Sequence, residues 1–505
     1  MYILSKETMY KCDNYTINTF GLPGRLLMEN AGKGSYEFIH DKILHKEKSN
    51  IIVFCGHGNN GGDGFVIARY LKNNKHKVRI VLTGNPDKMS EETEANYKLC
   101  QTLGIPINIV TSFADYSDLN IKPEQFDLTI DAIFGVGFKG TARGMYKELI
   151  LEINRNSHLI IAVDIASGVE ADTGKAEIAI KADYTLTMAA FKYGHFLEKG
   201  REMSGETIVI DIGMPALVYK KFSPTARLVT AENLELPLRN PYSHKGDYGK
   251  IGIIAGSPGF TGAGIMATTA AVRSGSGLVT LFHPDDENLK IIFESQLTEV
   301  MTAIIPQNIA NDENWEAFKQ NIADKDALLI GPGLGKSAEK ANLLKKILTF
   351  WNKPMVIDAD AVNILSQHRE YLQYLKDKPF MLTPHIGEFA RLHDKSIAET
   401  LSDPLQYLNN FAKEHGTNVL LKSATTIFSD GEYNLFDISG NDALSTGGSG
   451  DVLAGIIVSF LGQGLALSSA AISASCLMGK TAEKLSEQFG TASVIPTDII
   501  KNLRL

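Results

Sequence analysis

The sequence predicts two α/β domains, each built on a parallel sheet covered by helices on both faces. Three observations lead there. Apolar, β-branched runs alternate with stretches whose apolar residues recur every three or four positions. Glycine clusters follow many of these runs, as they do where strands turn into helices. The rhythm pauses once, across residues 213–240, and then resumes. A chain of 505 residues is long enough for two large domains, at roughly 150 residues or more each.

In the first half, strands are predicted at residues 50–55, 77–83, 126–130, 159–163 and 207–210. The stretch 213–240 holds Pro215, Pro224 and Pro237 with mixed charges, and reads as an interdomain connection with a short strand near 226–230. The second series is predicted at 250–255, 278–282, 327–330, 354–357, 380–382, 419–421 and 426–428. The domains are therefore placed at 1–220 and 225–505. Hydrophobic residues make up 44% and charged residues 21%, as in ordinary globular proteins. The net charge of −8, without a basic block, argues against nucleic acid or an anionic membrane as partner. The first 14 residues lack the apolar stretch of a signal peptide. Apolar runs such as 453–461 fall short of the ~20 residues a membrane span needs. Four cysteines without a CxxC pair argue against disulfides and structural zinc, and fit a reducing, cytoplasmic setting.

The strand at 50–55 runs into Gly56-His57-Gly58-Asn59-Asn60-Gly61-Gly62-Asp63-Gly64, ahead of a helical pattern at 65–71. Gly56, Gly58 and Gly61 match GxGxxG, a spacing that lets backbone N–H groups approach a phosphate at a helix N-terminus. The acid that a dinucleotide fingerprint wants after the second strand is missing, because that strand ends at Thr83-Gly84. A second GxGxxG spans Gly135-Val136-Gly137-Phe138-Lys139-Gly140. The plainer alternative is that the glycines only make tight turns, and it weighs more on the second set than on the first. Asp164-Ile165-Ala166-Ser167-Gly168 follows another strand. Asn60, Asp131 and Ser167 all fall at strand ends and offer oxygens suited to a hard cation, although Asp and Ser also cap helices.

These motifs, with Leu26-Leu27-Met28-Glu29-Asn30-Ala31-Gly32, resemble the NAD(P)H-hydrate epimerase family over about residues 1–215. The resemblance implies a Rossmann-like three-layer domain. It implies that Asn59, Asn60, Gly61, Gly62 and Asp63, with Gly135, Val136, Gly137, Phe138, Lys139, Gly140 and Thr141, hold the hydrated dinucleotide, with Tyr146 nearby. Asn60, Asp131 and Ser167 would bind potassium, and Asp164 would contact substrate and act as acid/base. Ala166 departs from the family's usual proline.

In the second half, Asn441-Asp442-Ala443-Leu444-Ser445-Thr446-Gly447-Gly448-Ser449-Gly450-Asp451 opens a helical stretch at 452–461. The glycines and the helix N-terminus form an anion hole, and an aspartate at its end can accept a hydroxyl proton during phosphoryl transfer. A glycine-rich helix start with an N-terminal acid is the plainer alternative. Gly331-Pro332-Gly333-Leu334-Gly335-Lys336-Ser337 is not a P-loop, because Ile330 stands where the pattern needs glycine. Thr261-Gly262-Ala263-Gly264, Asp358-Ala359-Asp360, Thr383-Pro384-His385-Ile386-Gly387-Glu388 and Lys422-Ser423-Ala424-Thr425-Thr426 each follow a strand.

Together these resemble the ADP/ATP-dependent NAD(P)H-hydrate dehydratase family over about residues 225–500, which implies a ribokinase-like α/β domain. The resemblance places Ala263, Gly333, His385 and Asp451 at the hydrated nicotinamide. It places Lys422, Ser423, Ala424, Thr425, Thr426, Gly447, Gly448, Ser449 and Gly450 around the nucleotide, with Asp451 as base. Ser423 replaces a usual glycine, and Ile386 a frequent proline. Fusion of the two domains is similar to bifunctional repair enzymes that use ADP with Mg²⁺ and form homo-oligomers. A small-molecule kinase of the hydroxyethylthiazole or hydroxymethylpyrimidine type, with a regulatory first half, is the competing enzymatic reading. A non-catalytic scaffold is the other, opposed by intact Asp131 and Asp164.

Overall fold

The computed structural model describes residues 1–230 and 234–505. The chain divides into two compact units, Met1–Pro224 and Thr225–Leu505.

In the first unit, β1 (Tyr2–Leu4) precedes β2 (Asn50–Cys55), β3 (Lys77–Thr83), β4 (Ile107–Val110), β5 (Leu128–Ala132), β6 (Ile160–Val163), β7 (Tyr184–Met188), β8 (Phe191–Lys192) and β9 (Glu206–Ile210). Seven of these form a parallel sheet in the order β4-β3-β2-β5-β6-β7-β9, and β1 pairs with β8. The alternation of β2 shows why both faces are covered. Ile51, Val53 and Cys55 pack in one apolar cluster with Phe65, Ile67 and Leu71, while Ile52 and Phe54 pack in another with Leu149, Ile150 and Ile153. Helix, sheet and helix make the Rossmann-like three-layer unit. The strand order reverses between β2 and β5, where ligands of open α/β sheets bind.

Two strands of the sheet escape the apolar-run criterion. In β7, Thr185 and Thr187 are buried polar residues, and Thr185 Oγ1 donates to Ser204 O at 2.6 Å, so burial is reached without an apolar sequence. The short β4 lies at the sheet edge.

The second unit begins with β10 (Ala226–Leu228), followed by β11 (Lys250–Ile254), β12 (Leu278–Pro284), β13 (Met301–Ile305), β14 (Ala327–Ile330), β15 (Met355–Ile357), β16 (Phe380–Leu382), β17 (Asn418–Leu421), β18 (Thr426–Ser429) and β19 (Asn434–Asp437). The order is β13-β12-β11-β14-β15-β16-β17-β18-β19-β10. Pairing is parallel from β13 to β17, and β17-β18-β19 is antiparallel, which corrects the expectation of a parallel sheet throughout. Residues 422–425 are too few for a crossover, so the chain folds back as a hairpin. The helices Thr261–Arg273, Ser449–Gly462 and Leu467–Phe489 pack on this sheet.

The stretch read as an interdomain connection contains the helix Ala216–Phe222 as well as β10, and its residues 231–233 lie outside the described residues. All four cysteines, Cys12, Cys55, Cys100 and Cys476, are buried and unpaired. Among the described residues, no helix is long and apolar enough to cross a membrane.

Candidate functional site

The first unit holds a cavity of about 690 Å³ at the C-terminal edge of β2 and β5. Its wall includes Asn59, Asn60, Asp63, Gly135, Val136, Gly137, Phe138, Tyr146 and Asp164. Asn59–Asn73 is a helix, so the loop expected to run through Gly64 is already helical from Asn59. Close packing explains the glycines there. A Cβ on Gly61 would lie 1.9 Å from the Gly56 carbonyl oxygen. Gly61 and Gly62 thus seat the helix and are not on the cavity wall. Lys139, Gly140 and Thr141 are also off the wall. The Gly140 N–H donates to Glu170 at 2.8 Å, and Thr141 Oγ1 donates to Glu177 at 2.8 Å.

Asp164 begins the turn after β6 with φ +68°, a left-handed conformation uncommon outside glycine. Its Oδ1 accepts from Lys192 Nζ at 2.5 Å. Lys192 Nζ also donates to Thr187 Oγ1 at 2.8 Å and Met188 O at 3.0 Å. Burial favours the neutral carboxyl, but the Lys192 charge and hydrogen bond outweigh it, and His195 and the Met188 N–H add to them. Asp164 is held below the usual carboxylate range. His195 Nε2 donates to Asp164 O at 2.9 Å while its Nδ1 accepts from Lys192 N at 3.1 Å. Burial pushes this imidazole down to about 4.

Asn60, on the cavity wall, converges with Asp131 and Ser167 behind it around the Phe134 backbone. Ser167 Oγ donates to Asp131 Oδ1 at 2.6 Å and accepts from Phe134 N at 2.9 Å. Asn60 Nδ2 donates to Phe134 O at 2.9 Å, whereas the buried Asn60 Oδ1 has no partner. Burial raises Asp131 to about 6 despite its bonds from Ser167 and Ile133.

In the second unit, Asp451 lies in the first turn of the helix Ser449–Gly462. Burial, then Asp358, raise it, against Lys422, to about 7. Lys422 Nζ donates to Asp358 Oδ1 at 2.7 Å, and Thr383 Oγ1 donates to the same oxygen at 2.8 Å. A Cβ on Gly450 would lie 3.2 Å from Lys422 Nζ, so the lysine stands at the glycine-rich helix start. Lys422 N donates to Pro384 O at 2.9 Å, joining the 422–426 turn to His385. His385 Nδ1 accepts from Gly387 N at 3.0 Å, capping the helix Ile386–Leu392. Gly333 lies beside Ala263, with an added Cβ 3.1 Å from the Ala263 Cβ. Ser423 Oγ donates to Thr425 O at 2.5 Å.

Residues 251–505 match the family described as NAD(P)H-hydrate dehydratase, and residues 24–194 match the YjeF-related protein N-terminus. The bifunctional NAD(P)H-hydrate repair enzyme Nnr of Moorella thermoacetica is 35% identical across 99% of this chain and 95% of its own length. The chain belongs to the bifunctional NAD(P)H-hydrate repair enzyme family. The Nnr of Escherichia coli is 32% identical across 96% of this chain and 90% of its own. A solved ADP/ATP-dependent NAD(P)H-hydrate dehydratase from Bacillus subtilis, co-crystallized with ATP and Mg²⁺, is 26% identical, covers 53% of this chain and 92% of that one, and has a TM-score of 0.44. As a bifunctional repair enzyme, the chain carries its cavity in one unit and its Asp451 cluster in the other.

Sequence reasoning missed Asp13, Lys192 and His195. Lys192 had a legible signal, a lone charge in the apolar run Ala189-Ala190-Phe191-Lys192. In the second unit it missed Glu388, which is buried beside His385 and bears on Asp451.

Proposed function

We propose that the first unit interconverts the R and S forms of NAD(P)H hydrate and that the second dehydrates the S form, with ADP as phosphoryl donor. What supports this division is that each unit has its own carboxylate–lysine pair at the ends of its strands, Asp164 with the buried Lys192 and the buried Asp358 with the half-buried Lys422. Each pair stands beside the aspartate assigned to chemistry or contains it.

Hydroxide leaves poorly from the C6 carbon of the hydrated nicotinamide ring. In the second unit, Asp451 takes the proton of the C6 hydroxyl as that oxygen attacks the terminal phosphoryl group of ADP, and AMP departs. The backbone N–H groups of Gly447, Gly448, Ser449 and Gly450 meet charge on the transferring group, and Lys422 adds its own. The ring nitrogen then expels phosphate, and loss of the C5 proton restores the double bond. Asp451, held near neutrality, is suited to the base role. His385, Ala263 and Gly333 would face the nicotinamide, while Ser423, Ala424, Thr425 and Thr426 would face the nucleotide. Mg²⁺ would arrive with the phosphates, since it is usually held by one or two carboxylates and by its phosphate ligands. Asp358, Asp360 and Asp451 offer such carboxylates.

In the first unit, Asp164 handles the proton at the epimerising carbon. Asn59, Asn60, Asp63 and Gly135 to Phe138 would line the substrate, with Tyr146 at the wall. The donor set behind them fits potassium: an orphaned Asn60 oxygen, the Asp131 carboxylate and the Ser167 hydroxyl are all oxygens. Asn60, Asp131 and Ser167 would hold it, and its charge would draw substrate phosphate to the loop. A cytoplasmic setting agrees with four unpaired thiols, and assembly into a homo-oligomer follows the family resemblance.

The test supplies the chain with mixed R and S NADPH hydrate, Mg²⁺, K⁺ and ADP, with ATP in parallel, and follows the near-ultraviolet absorbance of reduced nicotinamide. Complete recovery is expected, faster with ADP. Recovery that stops at the S fraction removes the epimerase assignment. A stable phosphorylated product replaces dehydration with kinase activity.

A further inference from the structure

The cavity of the first unit contains an aspartate not used above. Asp13 lies on the helix Lys6–Asn14, whose Met9, Tyr10 and Asp13 share a face by three- and four-residue spacing and all line the cavity. This helix precedes residues 24–194, the segment that the family model matches. Three aspartates, Asp13, Asp63 and Asp164, line the cavity with one lysine, Lys192. The lysine is bonded to Asp164. Among the described residues, the side-chain carboxyls of Asp13 and Asp63 have neither a hydrogen bond nor an ion pair. A carboxyl half-buried in a cavity wall without a partner favours its neutral form.

The titratable and charged groups whose charge acts on Asp13, or on which it acts, are Lys192, Asp164, Asp63, Tyr10, Cys12 and Tyr219. Burial raises Asp13, Lys192 lowers it, Asp164 raises it, and the result is about 6. Asp63 is driven well above the ordinary range, chiefly by burial. Asp164 is ionised. Carboxyls pushed apart in this way divide into an acid and a base, and the one nearest neutrality can give and recover a proton at each turnover.

We propose that Asp13 is a second catalytic carboxyl, the proton donor that works with Asp164 in epimerisation. This rests on the epimerase reading of the first unit. The Asp13 proton passes to the C6 hydroxyl oxygen, the C6–O bond breaks with its electron pair on departing water, and the ring nitrogen lone pair forms a C6=N1 iminium. Water then adds to the other face, the C6–O bond re-forms, nitrogen regains its pair, and the excess proton goes to Asp164. Solvent returns both carboxyls to their starting states.

The test uses the full chain with ADP and separate R and S hydrate, corrected for spontaneous epimerisation. With Asp13→Asn, turnover from the R form is expected to fall at least about 100-fold. Its KM stays within about threefold, and turnover from the S form is unchanged. The wild-type rate from the R form falls as pH rises through about 6, as a required acid loses its proton. That limb disappears in Asp13→Asn and returns, with about a tenth of the rate, in Asp13→Glu. The proposal is overturned if Asp13→Asn keeps its kcat, if only KM changes, or if the limb persists. Should Asp13→Asn be too unstable to assay, Asp13→Glu decides: a displaced limb supports the role and an unmoved one overturns it. A wild-type chain that dehydrates S but never draws on R overturns the epimerase reading itself, a result distinct from an intact wild type with an indifferent Asp13→Asn.

Discussion

At Lys192 the chain buries an ammonium group with 1% of its surface exposed and bonds it to Asp164. Removing one member of such a pair strands the other charge. Lys192→Met is therefore expected to destabilise the first unit by about 3–5 kcal/mol in urea unfolding and to abolish epimerisation. Because Asp164 is held below the ordinary range, the stability it brings is present above that range and is lost as pH falls through the lowered value. Asp451 has the opposite sign. Raised to about 7, it binds a proton in the native chain that the unfolded chain has released, so its contribution to stability declines from the ordinary carboxylate range up to about pH 7. Asp451→Asn should flatten that slope in pH-dependent unfolding. The same substitution should slow dehydration of the S form about 10²–10⁴-fold, with R–S exchange untouched. Dehydration by the wild type should rise with pH through about 7, as the base ionises.

The helix Asn59–Asn73 shows what an element asks of its sequence. Its glycines let it lie against the turn after β2, with Gly61 touching the Gly56 carbonyl. Gly61→Ala should cost about 1–3 kcal/mol of unfolding free energy and enlarge the KM for R hydrate, because the helix carrying Asn60 and Asp63 must move. The sequence displayed these glycines but not their purpose. A strand–glycine–helix pattern reads alike whether its glycines cradle a phosphate, admit a close helix or do both, and at Gly61 the structure shows the close approach. Asn60, Asp131 and Ser167 were legible because all three lie where strands end. Lys192 showed only as a lone charge in an apolar run, because its strand β8 has two residues and no period to read, and His195 lies in the short turn beyond it. The β17–β18 hairpin was legible but unread: both strands were visible, and the four-residue link between them is too short for a parallel crossover.

At the scale of the molecule, two units carry two centres in one chain. The S hydrate leaving the first is the substrate of the second, so the centres need share only a diffusing product. A mixture of Asp164→Asn and Asp451→Asn chains, each unable to clear an R and S mixture alone, should together carry recovery of reduced nicotinamide to completion. An endpoint that stalls in the mixture would mean that product passes only within one chain. The buried thiols offer a way to watch either unit open. Burial raises Cys12 and Cys476 to about 11 and Cys100 to about 12, and drives Cys55 well above its ordinary value. An alkylating reagent therefore finds almost no thiolate until the surrounding core parts. Three tags mark Met1–Pro224 and one marks Thr225–Leu505. Timed iodoacetamide pulses, read as added mass on each half, would report not only when the chain breathes but which half inhaled first.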